Sequence, residues 1–167
     1  MIFNVESFAD LNGENWEYVC RDKEKKNCLV GIQSINNNKI ISVAYIQIST
    51  TSQKKLNLLD KEDETNKIGE EINNVPIIFI NFPLNTDLRL KPIIRVGDKD
   101  ISGLSFMHCN PKVGCNSSIA ISNEVIELFK KGKEMSVFFR AFGSKKNLEI
   151  KFPLKKFTKS YKKLFKI

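Results

Sequence analysis

Residues 39–49 read KIISVAYIQIS. β-Branched and aromatic side chains fill this run, as a pleated, half-buried surface favours. In an extended chain Ile41, Val43, Tyr45 and Gln47 fall on one face, while Ile40, Ala44, Ile46 and Ile48 crowd the other. Apolar residues on both sides predict a strand buried on much of both faces. The three asparagines at 36–38 predict a tight turn just ahead of it, because asparagine tolerates positive φ.

Outward from that strand, the same short apolar rhythm recurs at residues 14–20, 28–35, 76–83, 91–96, 101–109 and 117–121. Gly97-Asp98 is a hairpin turn signal, and residues 134–142 and 147–153 form a last hairpin around Gly143-Ser144. Eight or more short strands with few helical breaks point to an all-β chain, an antiparallel β-sandwich or barrel. One short internal helix is expected over residues 122–131. Ser122 can accept its orphan N–H groups, and Glu124 and Glu127 lie near the positive end of its dipole. Val125, Ile126, Leu128 and Phe129 supply its apolar stripe, and Gly132 is placed as the left-handed residue that ends it. Phe157, Tyr161, Leu164 and Phe165 recur at helical spacing, so residues 154–166 predict a C-terminal amphipathic helix.

Residues 50–74 (TTSQKKLNLLDKEDETNKIGEEINN) break this rhythm and read as an exposed insertion. Its acidic residues Glu62, Asp63, Glu64, Glu70 and Glu71 lack the alternating oxygen pattern of a calcium loop, and read as a solvated charge run. The 61–71 segment is a second candidate surface for a protein partner, after the lysine segment described below. Residues 1–13 are expected to be an N-terminal extension to a single domain at 14–167. They lack the charged start, apolar stretch and cleavage site of a signal peptide. Two expectations follow: a cytosolic protein, or a mature form whose leader has been removed.

The 167 residues carry 27 basic and 19 acidic side chains, for a net charge of +8. Only Arg21, Arg89, Arg95 and Arg140 are arginine, so lysine supplies 23 of the 27. The planar arginine fork that favours phosphate and nucleic-acid recognition is therefore scarce. Residues 144–167 hold nine lysines against Glu149 alone, and the rest of the chain is neutral. Lys155, Lys156, Lys159, Lys162, Lys163 and Lys166 thus form a cationic footprint suited to anionic lipid. No aromatic-plus-arginine stacking platform indicates nucleic acid, and no apolar run reaches the ~18 residues of a membrane-spanning helix.

Cys20 closes one expected strand and Cys28 opens the next, while Cys109 and Cys115 bracket a turn. Spacers of seven and five residues suit zinc poorly, because zinc knuckles use two. Two structural disulfides are the preferred reading and imply an oxidising compartment. A cytosolic thiol or zinc-binding protein is the alternative. Catalysis has little to work with. His108 is the one histidine and sits beside a cysteine expected to be bridged. No glycine-rich phosphate loop, HExxH helix or nucleophile elbow occurs. The expectation is a non-catalytic protein without metal or cofactor, the rival being an enzyme with an unrecognised site.

Several motifs resemble one family. Trp16-Glu17-Tyr18-Val19-Cys20 with Cys28 is similar to the opening of invasion-associated locus B proteins, and Ile80-Asn81-Phe82-Pro83-Leu84 resembles their apolar strand ending in Pro-Leu. Cys109-Asn110-Pro111-Lys112-Val113-Gly114-Cys115, then a helix and Lys131-Gly132-Lys133, is similar to their C-x-x-x-G-C turn. The ending Phe152-Pro153-Leu154-Lys155-Lys156-Phe157 resembles theirs, with Lys156 where glycine is usual. The resemblance implies an immunoglobulin-like β-sandwich, both cysteine pairs bridged, and an exported bacterial protein of the periplasm or outer envelope. It implies no enzymatic activity. Combined with the lysine segment, it gives the expectation of an envelope binding or structural module that contacts anionic envelope lipid or another envelope protein.

Overall fold

The asparagine turn forms as expected. Asn37 and Asn38 both take positive φ (50° and 60°), the twist that joins two strands tightly, and Asn36 pairs with Lys39 across the turn. A computed structural model describes residues 10–53 and 71–165. Its strands are β1 (Glu17–Cys20), β2 (Cys28–Asn36), β3 (Lys39–Gln53), β4 (Glu71–Phe82), β5 (Ile93–Val96), β6 (Lys99–Ile101), β7 (Ser105–Asn110) and β8 (Gly114–Ala120), then β9 (Glu134–Arg140) and β10 (Asn147–Pro153). Helix α1 (Asn123–Lys131) lies between β8 and β9, and α2 (Phe157–Lys163) follows β10.

Every named strand pairing is antiparallel. Six strands form one sheet in the order β1-β2-β3-β4-β8-β7, and four form the other as β10-β9-β5-β6. Their facing sides make the core of a β-sandwich, as the sequence led one to expect. Val30, Ile32, Ala44, Ile46, Ile78, Ile80 and Phe82 of the large sheet meet Ile94, Val96, Met135, Val137, Phe139, Ile150 and Phe152 of the small one. The small sheet alternates buried and accessible residues along β5 and β9, the mark of one solvated face. The large sheet does not. Its outer side carries a second cluster of Leu11, Leu29, Val43 and Tyr45, with Phe79 stacked on Tyr45 at 4.9 Å. That cluster is why residues 39–49 are apolar on both faces.

Several boundaries differ from expectation for identifiable reasons. The ladder continues into the segment read as an insertion, pairing Thr50 with Asn74 through to Gln53 with Glu71. Residues 54–70, with most of the acidic run, lie outside the described residues. At the other end Leu11 is already buried, and Asn12 accepts a hydrogen bond from the Gln33 amide, so packing starts ahead of residue 14. The expected strand 101–109 is two elements in different sheets, because the chain crosses between layers at residues 102–104. α1 is capped by Ser122, which accepts from the Val125 amide. Gly132, however, is extended (φ −73°) rather than left-handed. Its lack of a side chain serves packing: a Cβ there would lie 2.6 Å from Val96 and 2.9 Å from Leu154.

The connector after β4 is fixed by a polar clamp. Thr86 donates through its hydroxyl (2.7 Å) and its amide (3.1 Å) to the Pro83 carbonyl. The buried Asp87 accepts from Arg89 through Nε (2.9 Å), Nη2 (2.8 Å) and the amide (3.1 Å). Those Arg89 side-chain bonds outweigh the opposing effect of burial and hold the Asp87 carboxyl down at about 2. A carboxylate with a lowered pKa stabilises the fold above its ordinary value near 4, and the gain is lost as pH falls toward 2. Asp87→Asn is therefore expected to lower the Tm at pH 7 and to flatten its fall between pH 4 and 2. An unchanged acid limb in thermal melts would contradict this.

Gly114 meets a harder constraint. It has φ +94°, and a Cβ there would lie 2.0 Å from the Phe82 carbonyl oxygen. Left-handed strain plus overpacking puts the expected cost of Gly114→Ala at about 2 kcal/mol or more, or ~4–8 °C in Tm. Gly97→Ala, at φ +61° but in open space, should cost about 1 kcal/mol from backbone strain alone. Equal losses in calorimetry would refute the close approach at Gly114.

Candidate functional site

The cationic segment begins where the small sheet ends. Leu154, Phe157, Ser160 and Tyr161 turn inward and are buried. Phe157 packs between Trp16 (5.1 Å), Phe129 (5.5 Å) and Tyr161 (5.4 Å). Trp16 donates from its indole to the Pro153 carbonyl (2.9 Å) and from its amide to the Lys155 carbonyl (3.0 Å). Its own carbonyl accepts from the Ser160 hydroxyl (2.7 Å). With the apolar residues anchored, Lys155, Lys156, Lys159, Lys162 and Lys163 are all exposed. None of the five enters an ion pair among the described residues. Lys163 lies 5.9 Å from the centre of the Tyr18 ring. Lys166 lies outside the described residues.

The helix is shorter than the expected 154–166. Residues 154–156 form a turn closed by Phe157 N–H to the Leu154 carbonyl, and α2 spans Phe157–Lys163. Lys156 takes the left-handed conformation (φ 61°). A left-handed backbone, which glycine adopts most readily, is here held by a lysine whose side chain adds a charge to the exposed edge.

Both cysteine pairs are bridged, with sulfurs 2.04 Å apart at Cys20–Cys28 and 2.06 Å at Cys109–Cys115. Each pair joins directly opposed residues of antiparallel neighbours, β1–β2 and β7–β8. No cysteine is left to serve as a thiol or zinc ligand. Among the described residues no cluster of three or more His, Cys, Asp or Glu could hold a metal ion, and no helix is long and apolar enough to cross a membrane. His108 is exposed on β7, its Nε2 3.5 Å from the Asn116 amide nitrogen.

A second surface was not legible in the sequence. Strand register sets Asn81 beside Asn116, and both line a groove with Val43 of the outer cluster. Asn81 donates to Asn116 across β4–β8 at 3.0 Å. The groove, of about 580 Å³, opens above Val43 and Tyr45. One wall is Pro83–Leu84, held by the Thr86 clamp. The other is the bridged turn from Pro111 to Gly114. Ile40 and Ile41 form the rim at a β-bulge, where the pairing of Ser34 with Ser42 shifts to Ile35 with Ile40. The bulge leaves Ile40 56% and Ile41 36% exposed, where plain alternation would have buried one of them. Among the described residues, the charged side chains on the groove are Lys39 and Lys112, and neither His108 nor a carboxylate lines it. Burial pushes the pKa of the Tyr45 hydroxyl up, with Arg21 pulling it partly back, so the phenol stays neutral.

The chain's relatives can be set beside this geometry. A crystal structure of invasion associated protein B from Bartonella henselae superposes with a TM-score of 0.68, covering 90% of this chain and 92% of that one at 15% identity. At that identity the likeness concerns the fold. No curated protein matches the chain. The model of the family described as "Invasion associated locus B (IalB) protein" matches residues 16–165, from the buried Trp16 to Phe165. The chain therefore belongs to the invasion associated locus B family.

Proposed function

We propose that this protein is an exported, non-catalytic binding module of the bacterial cell envelope whose lysine segment docks on anionic lipid. The observation that carries the reading is the anchored C-terminal segment. Its apolar side chains are committed to the core around Phe157, while five lysines without ion-pair partners among the described residues project outward. Such a surface gains about 1 kcal/mol per lysine near an anionic membrane, and the attraction falls off within a Debye length. Export is supported by the family and by two disulfides, which persist in oxidising compartments. The non-catalytic part of the reading rests on the sequence, which has no glycine-rich phosphate loop, HExxH helix or nucleophile elbow.

The test is co-sedimentation with vesicles of phosphatidylglycerol mixed into phosphatidylcholine. Wild-type protein is expected to bind in proportion to the anionic fraction and to release in 0.5 M salt. Replacing Lys155, Lys159, Lys162 and Lys163 by glutamine is expected to weaken binding between tenfold and several hundredfold. Unchanged binding by the fourfold variant would overturn the reading.

A further inference from the structure

The groove on the outer face of the large sheet shares no residue with the lysine segment, and nothing so far assigns it a ligand. Its volume of about 580 Å³ falls within the range of small-molecule sites. Among the described residues its walls are mostly aliphatic, with Tyr45 the one aromatic residue, which suits a flexible hydrocarbon chain better than a flat ring. Ile40 and Leu84 stand 56% and 54% exposed at its mouth. Apolar side chains clustered at an opening mark a binding surface more often than chance scatter. Among the described residues the charge is one-sided, since Lys39 and Lys112 are the ionised groups of the lining. A charged head at the rim is attracted by opposite charge, which Lys39 and Lys112 supply to an anion. On the polar part of the floor, Asn81 and Asn116 bond each other across the strands.

We propose that this groove binds a single-chain amphiphile with a carboxylate head, a free fatty acid. The chain lies over Val43 and against Leu84, and the carboxylate is held at the rim by Lys39 and Lys112. The Thr86 clamp and the Cys109–Cys115 bridge fix the two walls, so the site is pre-formed rather than assembled around its ligand. This inference does not depend on the lysine-segment reading, and either can fail without the other.

Titration calorimetry of the full chain with dodecanoate, below its micelle concentration, tests it. One dodecanoate per chain is expected, with dodecanol bound at least threefold more weakly for want of the charge and butyrate not bound for want of the chain. Leu84→Glu and, separately, Ile40→Glu alter exposed side chains and should each weaken binding at least tenfold while circular dichroism stays unchanged. Lys39→Gln with Lys112→Gln should remove the preference for dodecanoate over dodecanol. Absence of saturable binding, indifference to both glutamate variants, or equal binding of dodecanol by the wild type would overturn the proposal. So would loss of dodecanoate binding in the fourfold Lys155, Lys159, Lys162 and Lys163 variant, which would place the ligand on the other surface.

Discussion

Trp16 closes the sandwich at one end, and much of the rest depends on how its polar atoms are satisfied. A buried indole N–H or backbone amide without an acceptor would cost a kcal/mol or more. Trp16 places its indole N–H on Pro153, its amide on Lys155, and its carbonyl under the Ser160 hydroxyl. Those three bonds tie the edge of the large sheet to the end of the small sheet and to α2. They dictate which side of the C-terminal segment faces in. Phe157 then fills the space between Trp16, Phe129 and Tyr161. The lysines between these residues have nowhere to go but solvent, so the cationic surface follows from how the core is closed.

Local signals were legible where local chemistry decides. The asparagine turn, the Gly97-Asp98 hairpin, the Ser122 cap and the strand 147–153 all depend on a few adjacent residues, and all stand where the sequence pointed. Helical spacing at Phe157 and Tyr161 identified the buried face of α2 but not its start, because the turn at 154–156 is imposed by contacts with Trp16. Gly132 was read as a conformational glycine, yet its neighbours Val96 and Leu154 make it a packing glycine. That distinction depends on residues 22 to 36 positions away in the chain. The break at 102–104 was hidden for a similar reason, since both flanking segments alternate like strands and only the layer assignment separates them.

The groove was illegible for the same physical reason. Its floor comes from β2, β3, β4 and β8, one wall from the β4–β5 connector and the other from the turn between β7 and β8. No periodicity within a segment reports on a surface assembled by register. One trace was present: Ile40 and Ile41 together are too apolar for the end of a hairpin strand, and the bulge that exposes them needs a reason. A strand buried on both faces hinted that its outer side was covered, but not that Leu11 is what packs there.

The two disulfides connect structure to compartment. Each joins strand residues already opposed by antiparallel register, closes a short loop and contributes about 2–3 kcal/mol on the chain-entropy view. Such bridges survive where the surroundings are oxidising, so the thiol state in the cell bears directly on whether this is an envelope protein. The deciding measurement is the intact mass of protein taken from its native compartment, alkylated without reduction, with peptide mapping. A mass about four hydrogens below that of the fully reduced chain, with Cys20 linked to Cys28 and Cys109 to Cys115, is the expected result. Four alkylated cysteines would contradict export, and with it the assignment of this domain to the cell envelope.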